Sequence, residues 1–215
     1  MKSILIRKFK TREDAIKKAA QILREKLKPG DIILTSPRLN NIKLKIRYFS
    51  SYLIGKLSRG ITHSCLYIGN NRLMDMDIRL RGKAIQNITL EQLLKKKIDR
   101  FKGIKVYVVQ PKRYKKWHRD IVLKESINNF INKSKDIIFS VKELSRMFFI
   151  LTFKKSETYK KDTKNLVKRW HCSNLVAYIL RKSGVNIGNR ASNSFIPSTF
   201  VFSKHFKVKK KIVIK

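Results

Sequence analysis

Thr62-His63-Ser64-Cys65-Leu66-Tyr67-Ile68-Gly69, running on through Asn70-Asn71 to Arg72-Leu73-Met74-Asp75-Met76-Asp77-Ile78, reads as a β-hairpin. Gly69-Asn70-Asn71 supplies residues that tolerate the left-handed backbone of a tight turn, and apolar residues fill both arms. Alternation along the first arm puts His63, Cys65 and Tyr67 on one face. Register then decides the chemistry. A three-residue loop over Gly69-Asn70-Asn71 sets Cys65 opposite Asp75 and His63 opposite Asp77, with Asp75 diagonal to His63 and within side-chain reach. A two-residue turn at Asn70-Asn71 sends both acids to the other face, where they balance Arg72, Arg79 and Arg81.

Upstream, Thr11-Arg12-Glu13-Asp14 is a capping-box-like start, with Asp standing where Glu or Gln is preferred. Ala15, Ile16, Ala19, Ile22, Leu23 and Leu27 follow at helical spacing, predicting a helix over 11–28 that Pro29-Gly30 stops. Asp31 to Ser36 predicts a short buried strand, and residues 41–57 a second helix. Downstream, Thr89-Leu90-Glu91-Gln92 caps a short helix, and Ile104 to Gln110 is a strand ended by Pro111. Residues 120–150 read as helical with a break near 133–136, 156–168 as an exposed Lys-rich loop, and Cys172 to Lys182 as a helix closed by Gly184. The tail, Phe206 to Lys215, predicts a last strand with Phe206, Val208, Ile212 and Ile214 on one face. No repeat, low-complexity tract or linker interrupts the pattern. The expectation is one α+β domain over 1–215, a small antiparallel sheet packed against helices.

Cys172 opens an apolar helix whose buried face is Leu175, Val176, Ile179 and Leu180. A thiol at a helix N-terminus meets unpaired backbone N–H groups and the positive end of the dipole, and both favour the nucleophilic thiolate. A small buried hydrophobe is the commoner fate of a lone Cys, and the reading expected for mid-strand Cys65. A carboxylate beside His63 would hold its tautomer and stabilise its imidazolium, the orienting role in a nucleophile–base–acid triad. Two Cys allow at most one disulfide, and four His without CxxC or HxxxH spacing predict no zinc site, so neither a metal nor an organic cofactor is expected.

Gly30-Asp31-Ile32, His63 with Tyr67 and Gly69, Asp75, and Cys172-Ser173-Asn174-Leu175-Val176 follow one another in that order. Together they resemble the circularly permuted branch of the papain-like, NlpC-type superfamily, which includes YiiX-like proteins and lecithin:retinol acyltransferase-like enzymes. The resemblance covers about residues 28 to 200. It implies a permuted papain-like fold with Cys172 as nucleophile, His63 as base and Asp75 as orienter, Asp77 being the competing acid. It also implies an oxyanion site at the backbone N–H groups of Cys172 and Ser173. YiiX-like relatives tend to carry Glu at the third position, and their Gly- and Tyr-containing stretch before the Cys has no counterpart in 125–169. The implied activity is thiol hydrolysis of an amide or ester in cell-wall peptide or lipid acyl substrates.

Composition adds a partner class. Lys and Arg number 52 against 14 Asp and Glu, a net charge of +38 over 215 residues. Such a chain seeks polyanions: nucleic acid, anionic lipid or anionic cell wall. Basic clusters lie at Lys95-Lys96-Lys97, at Lys112, Arg113, Lys115 and Lys116 with Tyr114 and Trp117, and at Lys209-Lys210-Lys211. No base-reading motif accompanies them, so nonspecific binding is expected. A Lys- and Ile-rich composition also fits AT-rich coding. The alternative to an enzyme is therefore a non-enzymatic polyanion-binding protein or virion component on an idle papain-like scaffold, a phage or other viral product. Ile4-Leu5-Ile6 is too short for a signal-peptide core, and no apolar run approaches the roughly 20 residues that span a bilayer. A cytoplasmic or virion-associated location is expected, and oligomeric state leaves no trace in the sequence.

Overall fold

In a computed structural model of the chain, the described residues are 4–6, 11–37, 52, 54–56, 58–76, 85–101, 103–126, 138–139, 169–189 and 195–214. Their elements in order are β1 (Ile4–Ile6), α1 (Arg12–Arg24), β2 (Ile32–Pro37), β3 (His63–Gly69), β4 (Arg72–Met76), β5 (Ile85–Thr89) and α2 (Leu90–Arg100). There follow β6 (Ile104–Pro111), α3 (Lys116–Glu125), β7 (Ile138–Phe139), β8 (Arg169–Trp170), α4 (Cys172–Lys182), α5 (Thr199–Phe202) and β9 (Phe206–Ile214). The architecture is mixed α+β. Seven strands form one open sheet in the order β1-β9-β6-β2-β3-β4-β5, antiparallel except where β1 joins β9, and β7 and β8 form a separate parallel pair.

Helices cover both faces of this sheet. Ile32, Leu34, Leu66, Met74, Met76 and Val109 pack with Leu175, Val176, Ile179 and Leu180 of α4 and Phe200 of α5. Ile33, Cys65, Tyr67, Leu73, Val106 and Val108 pack with Ile16 and Leu23 of α1 and Leu93 and Leu94 of α2. Apolar burial anchors these helices. Each buried aliphatic side chain contributes roughly 1.5–3 kcal/mol, against at most about 1 kcal/mol for an exposed ion pair such as Arg24–Glu91 between α1 and α2. The capping signals are realised: the Thr11 hydroxyl accepts from Asp14 N at 3.1 Å, and Thr89 with Gln92 completes a full capping box on α2. Among the described residues no helix is long and apolar enough to cross a membrane.

Two β-bulges aim the functional side chains. Asn70 (φ 48°) and Asn71 (φ 58°) form a two-residue turn that pairs Gly69 with Arg72. Beyond it the register is Tyr67 with Leu73 and Leu66 with Met74, so Ile68 is an extra residue in β3. The short turn and the register of the three-residue loop thus coexist, because the bulge absorbs the difference. Continued one step, that register sets Cys65 across from Asp75. The second bulge corrects a sequence expectation. Val109 pairs with Val208 but Val108 with Lys210, leaving Lys209 as the inserted residue of β9. Phe206 and Val208 therefore face α4, while Ile212 and Ile214 face α1 and α2, and the four do not share a face.

The inserted Lys209 reaches the buried Asp31 carboxylate at 2.7 Å and the Lys26 carbonyl at 2.7 Å. Asp31 is raised above the usual carboxylate range because burial outweighs Lys209 and the Lys28 amide. Next to it Gly30 (φ 86°) leaves room for Tyr114, whose hydroxyl donates to Pro29 O at 2.8 Å; a Cβ on Gly30 would lie 1.6 Å from that oxygen. The strands β1, β5, β7 and β8 were not expected, and β7 stands in a stretch read as helical, where Ile138 and Phe139 pair with Arg169 and Trp170. The helix α1 is shorter than 11–28, and α3 begins four residues before 120. The expected helix over 41–57, all but a few residues of it, the far part of 120–150 apart from 138–139, and the loop over 156–168 lie outside the described residues.

Lys209→Met is expected to cost about 3 kcal/mol at pH 7 by stranding a buried carboxylate, measured by denaturant unfolding. A raised native value means Asp31 favours folding when protonated and loses that contribution as pH rises. The cost should therefore shrink at pH 4. An equal cost at both values would show that Lys209 acts by packing alone.

Candidate active site

Three elements meet at Cys172. It is the first residue of α4, after His171 as N-cap in extended backbone (φ −126°, ψ 168°), and the His171 side chain makes no capping hydrogen bond. The N–H groups of the first turn, those of Cys172 and Ser173 included, are thus left uncapped by that side chain, as an oxyanion site requires. Ser173 Oγ lies 3.1 Å from Ser64 Oγ of β3, a hydrogen bond between the neighbours of Cys172 and of His63. That link fixes the nucleophile candidate against the base candidate. Cys172 itself is 3% exposed, and both cysteines are free.

His63 Nε2 sits 2.5 Å from Asp75 Oδ1, and Cys65 Sγ donates to the same oxygen at 3.3 Å. Asp75 is fully buried, and its Oδ2 faces Lys96 Nζ at 3.6 Å. Strand parity assigns His63, Cys65 and Asp75 to the face covered by α2, whereas Cys172 heads a helix on the opposite face. His63 reconciles the two because it opens β3, at the rim of the sheet, where its charge acts on the Cys172 thiol.

Electrostatics follow from this contact set. Burial would raise Asp75, but the His63 charge and hydrogen bond, with Lys97 and Lys96, outweigh it and hold the carboxyl well below its usual range. Burial and then the Asp75 charge push Cys65 up to about 12, so it is a neutral thiol at pH 7. Burial also opposes ionisation of Cys172. The His63 charge, hydrogen bonds with His171 and His63, and the His171 charge overcome it, and the thiol is held well below its ordinary value. Burial and the Lys97 ammonium push His63 down, while Cys65, Asp75 and Cys172 around the ring carry it well above the imidazole range. With Cys65 neutral, Asp75 and the Cys172 thiolate are the anions that hold the imidazolium at neutral pH.

Two parts of this cluster escaped the sequence reading. His171 acts on the sulfur from the N-cap by favouring its ionised form, and its adjacency to Cys172 was the available signal. Lys97 is 7% exposed and acts on His63 and Asp75 from α2, and Lys96 pairs with Asp75, so of that lysine run only Lys95 is exposed. Lys209 likewise serves Asp31, with Lys210 and Lys211 partly exposed beside it. Lys112, Arg113, Lys115 and Lys116 are exposed. Asp77, the competing acid, lies outside the described residues. His63, Cys65 and Asp75 also bring three donor atoms within 4.8 Å of one another, a donor set that suits zinc and that spacing along the chain did not reveal. The ammonium groups of Lys96 and Lys97 oppose a cation there.

No protein-family model matches the chain, and no curated protein matches it. The assignment of chemistry therefore rests on the side chains themselves.

A depressed thiol beside a raised imidazole should hold Cys172 as thiolate across neutral pH. Its alkylation by a small reagent, read by mass spectrometry, is expected to keep its rate from pH 9 to below pH 7. His63→Ala removes the largest contribution that lowers the thiol. It should cut the rate at pH 7 at least about tenfold relative to pH 9, since one pKa unit is a factor of ten. Comparing rates within one variant cancels the effect of burial on access. A wild-type rate rising tenfold per pH unit up to pH 8 would contradict the ion pair.

Proposed function

We propose that the chain is a cysteine hydrolase of permuted papain-like fold, acting on an amide or ester carbonyl. The observation that carries this reading is one imidazole, His63, hydrogen-bonded to the buried Asp75 carboxylate and electrostatically coupled to the Cys172 thiol at a helix N-terminus. The order His63, Asp75, Cys172 along the chain and the packing of α4 on β3 fit the permuted arrangement. Cell-wall peptides and lipid acyl groups are the substrate classes to which the resemblance points, and both are found on anionic surfaces that a +38 chain would approach.

The steps balance without a cofactor. Cys172 sulfur attacks the carbonyl carbon, and the C=O π pair moves onto oxygen, which the N–H groups of Cys172 and Ser173 receive. Collapse expels the amine or alcohol, which takes its proton from the His63 imidazolium. Neutral His63 then removes a proton from water as it attacks the thioester, releasing the acid and restoring the thiolate–imidazolium pair. Asp75 keeps the ring oriented and stabilises its charged form throughout.

Peptidoglycan fragments and acyl lipids should be screened with intact protein, Cys172→Ala and His63→Ala, following released product and any acyl adduct on Cys172. Turnover by the wild type, lowered at least about 1,000-fold in each variant, is the expected result. Alkylation showing an ordinary thiol, with no turnover and no adduct on either substrate class, would mean that the scaffold is catalytically idle.

A further inference from the structure

The basic run after β6 is built differently from the other lysine clusters. Pro111 ends the strand, and Lys112 N donates to His205 O at 2.9 Å, which pins the run beside the turn that carries exposed Lys204. His118, buried in the first turn of α3, accepts from Lys115 N at 2.9 Å through Nδ1 and donates from Nε2 to Gly184 O at 3.3 Å. Its ring is thereby locked, and Trp117 stacks on it with centroids 3.6 Å apart and planes 22° from parallel. Gly184 (φ 73°) presents bare backbone to the indole, where a Cβ would come within 3.3 Å of it. Trp117 is thus held in place yet 49% exposed.

Tyr114, the other aromatic of the run, serves the fold: its hydroxyl is bonded to Pro29 O and its ring is half-buried. Lys112, Arg113, Lys115 and Lys116 are exposed, and among the described residues none of the four is in an ion pair. Asp120 is the one acid between positions 112 and 124.

We propose that Trp117 with Lys112, Arg113, Lys115 and Lys116 forms a binding surface for single-stranded nucleic acid, a base stacking on the indole and phosphates lying on the four cations. A stacking ring fixed before binding loses little rotamer freedom, and each base stacked on such a ring is worth about 1–3 kcal/mol. An anionic membrane fits less well. The surface around Trp117 is charged, and Leu123, the other exposed apolar residue of α3, lies six positions on and well round the helix from it. The surface is independent of the hydrolase chemistry. Gly184 lies just beyond Lys182, the end of α4, which is ten residues and on the order of 15 Å along the helix axis from Cys172 at 1.5 Å per residue, so the seat of the indole is at the opposite end of α4 from the thiol.

The test is fluorescence anisotropy of a labelled oligothymidylate of about 20 nucleotides over a series of salt concentrations, with thermal melting of every variant. Trp117→Ala should weaken binding about tenfold or more with an unchanged salt slope, and Trp117→Phe should retain most of the affinity. Replacing Lys112, Arg113, Lys115 and Lys116 together by Gln should flatten the slope of log K against log salt by about 3, at roughly 0.7 per phosphate contact. Cys172→Ala should bind as the wild type does. Three results would overturn the proposal. One is Trp117→Ala binding like the wild type while Lys210→Gln with Lys211→Gln weakens binding as much as the four-site variant, which would mean diffuse charge. Another is loss in Trp117→Ala confined to phosphatidylserine vesicles, which would mean a lipid surface. The last is duplex bound more tightly than single strand with no dependence on Trp117.

Discussion

Ile68 is one residue too many for its strand, and the site depends on that surplus. The Asn70-Asn71 turn alone would pair the hairpin so that Asp75 pointed away from His63. The bulge shifts β3 by one position, brings the carboxylate onto the face of His63 and Cys65, and buries it completely. A buried carboxylate must be compensated, and here the partners are the imidazole, the Cys65 thiol and the lysines of α2. Much of the local charge pattern follows from placing one acid inside the sheet.

The same device recurs at Lys209. There an inserted residue turns a lysine toward Asp31, and the strand changes face midway. The two bulges explain why a molecule so rich in cations folds around acids. With 14 Asp and Glu for 52 Lys and Arg, the two carboxylates fully buried among the described residues, Asp31 and Asp75, each hold a lysine near the sheet. Lysines that read as surface charge in the sequence, Lys96, Lys97 and Lys209, are in fact counter-ions of the interior. The cations left facing solvent are elsewhere, around Trp117 among other places.

Much of the framework was legible from residues. Alternation located β2, β3, β4, β6 and β9, and capping residues located α1 and α2, because those signals are local. The proximity of His63 and Asp75 was legible only as one of two registers, since turn length and bulge trade against each other and sequence shows neither alone. The face change in β9 was illegible for the same reason: a bulge leaves the alternation of apolar residues intact while reversing what it means. His171 and Lys97 were missed because their roles depend on which helix lies on which face, a long-range fact. The β1 and β5 edges were too short for alternation to register. The donor set of His63, Cys65 and Asp75 was invisible to spacing rules because it crosses a hairpin instead of recurring along one element.

The central claim is that Asp75 and Cys172 together hold His63 as an imidazolium at neutral pH. The most direct measurement is nitrogen-15 NMR of the imidazole rings, with His63 assigned by comparison with His63→Ala. Both nitrogens of His63 should be protonated at pH 7.5 in the wild type, and one should lose its proton in Asp75→Asn with Cys172→Ala at the same pH. A single neutral tautomer in the wild type, unchanged in that variant, would contradict the ion pair and the catalytic reading built on it.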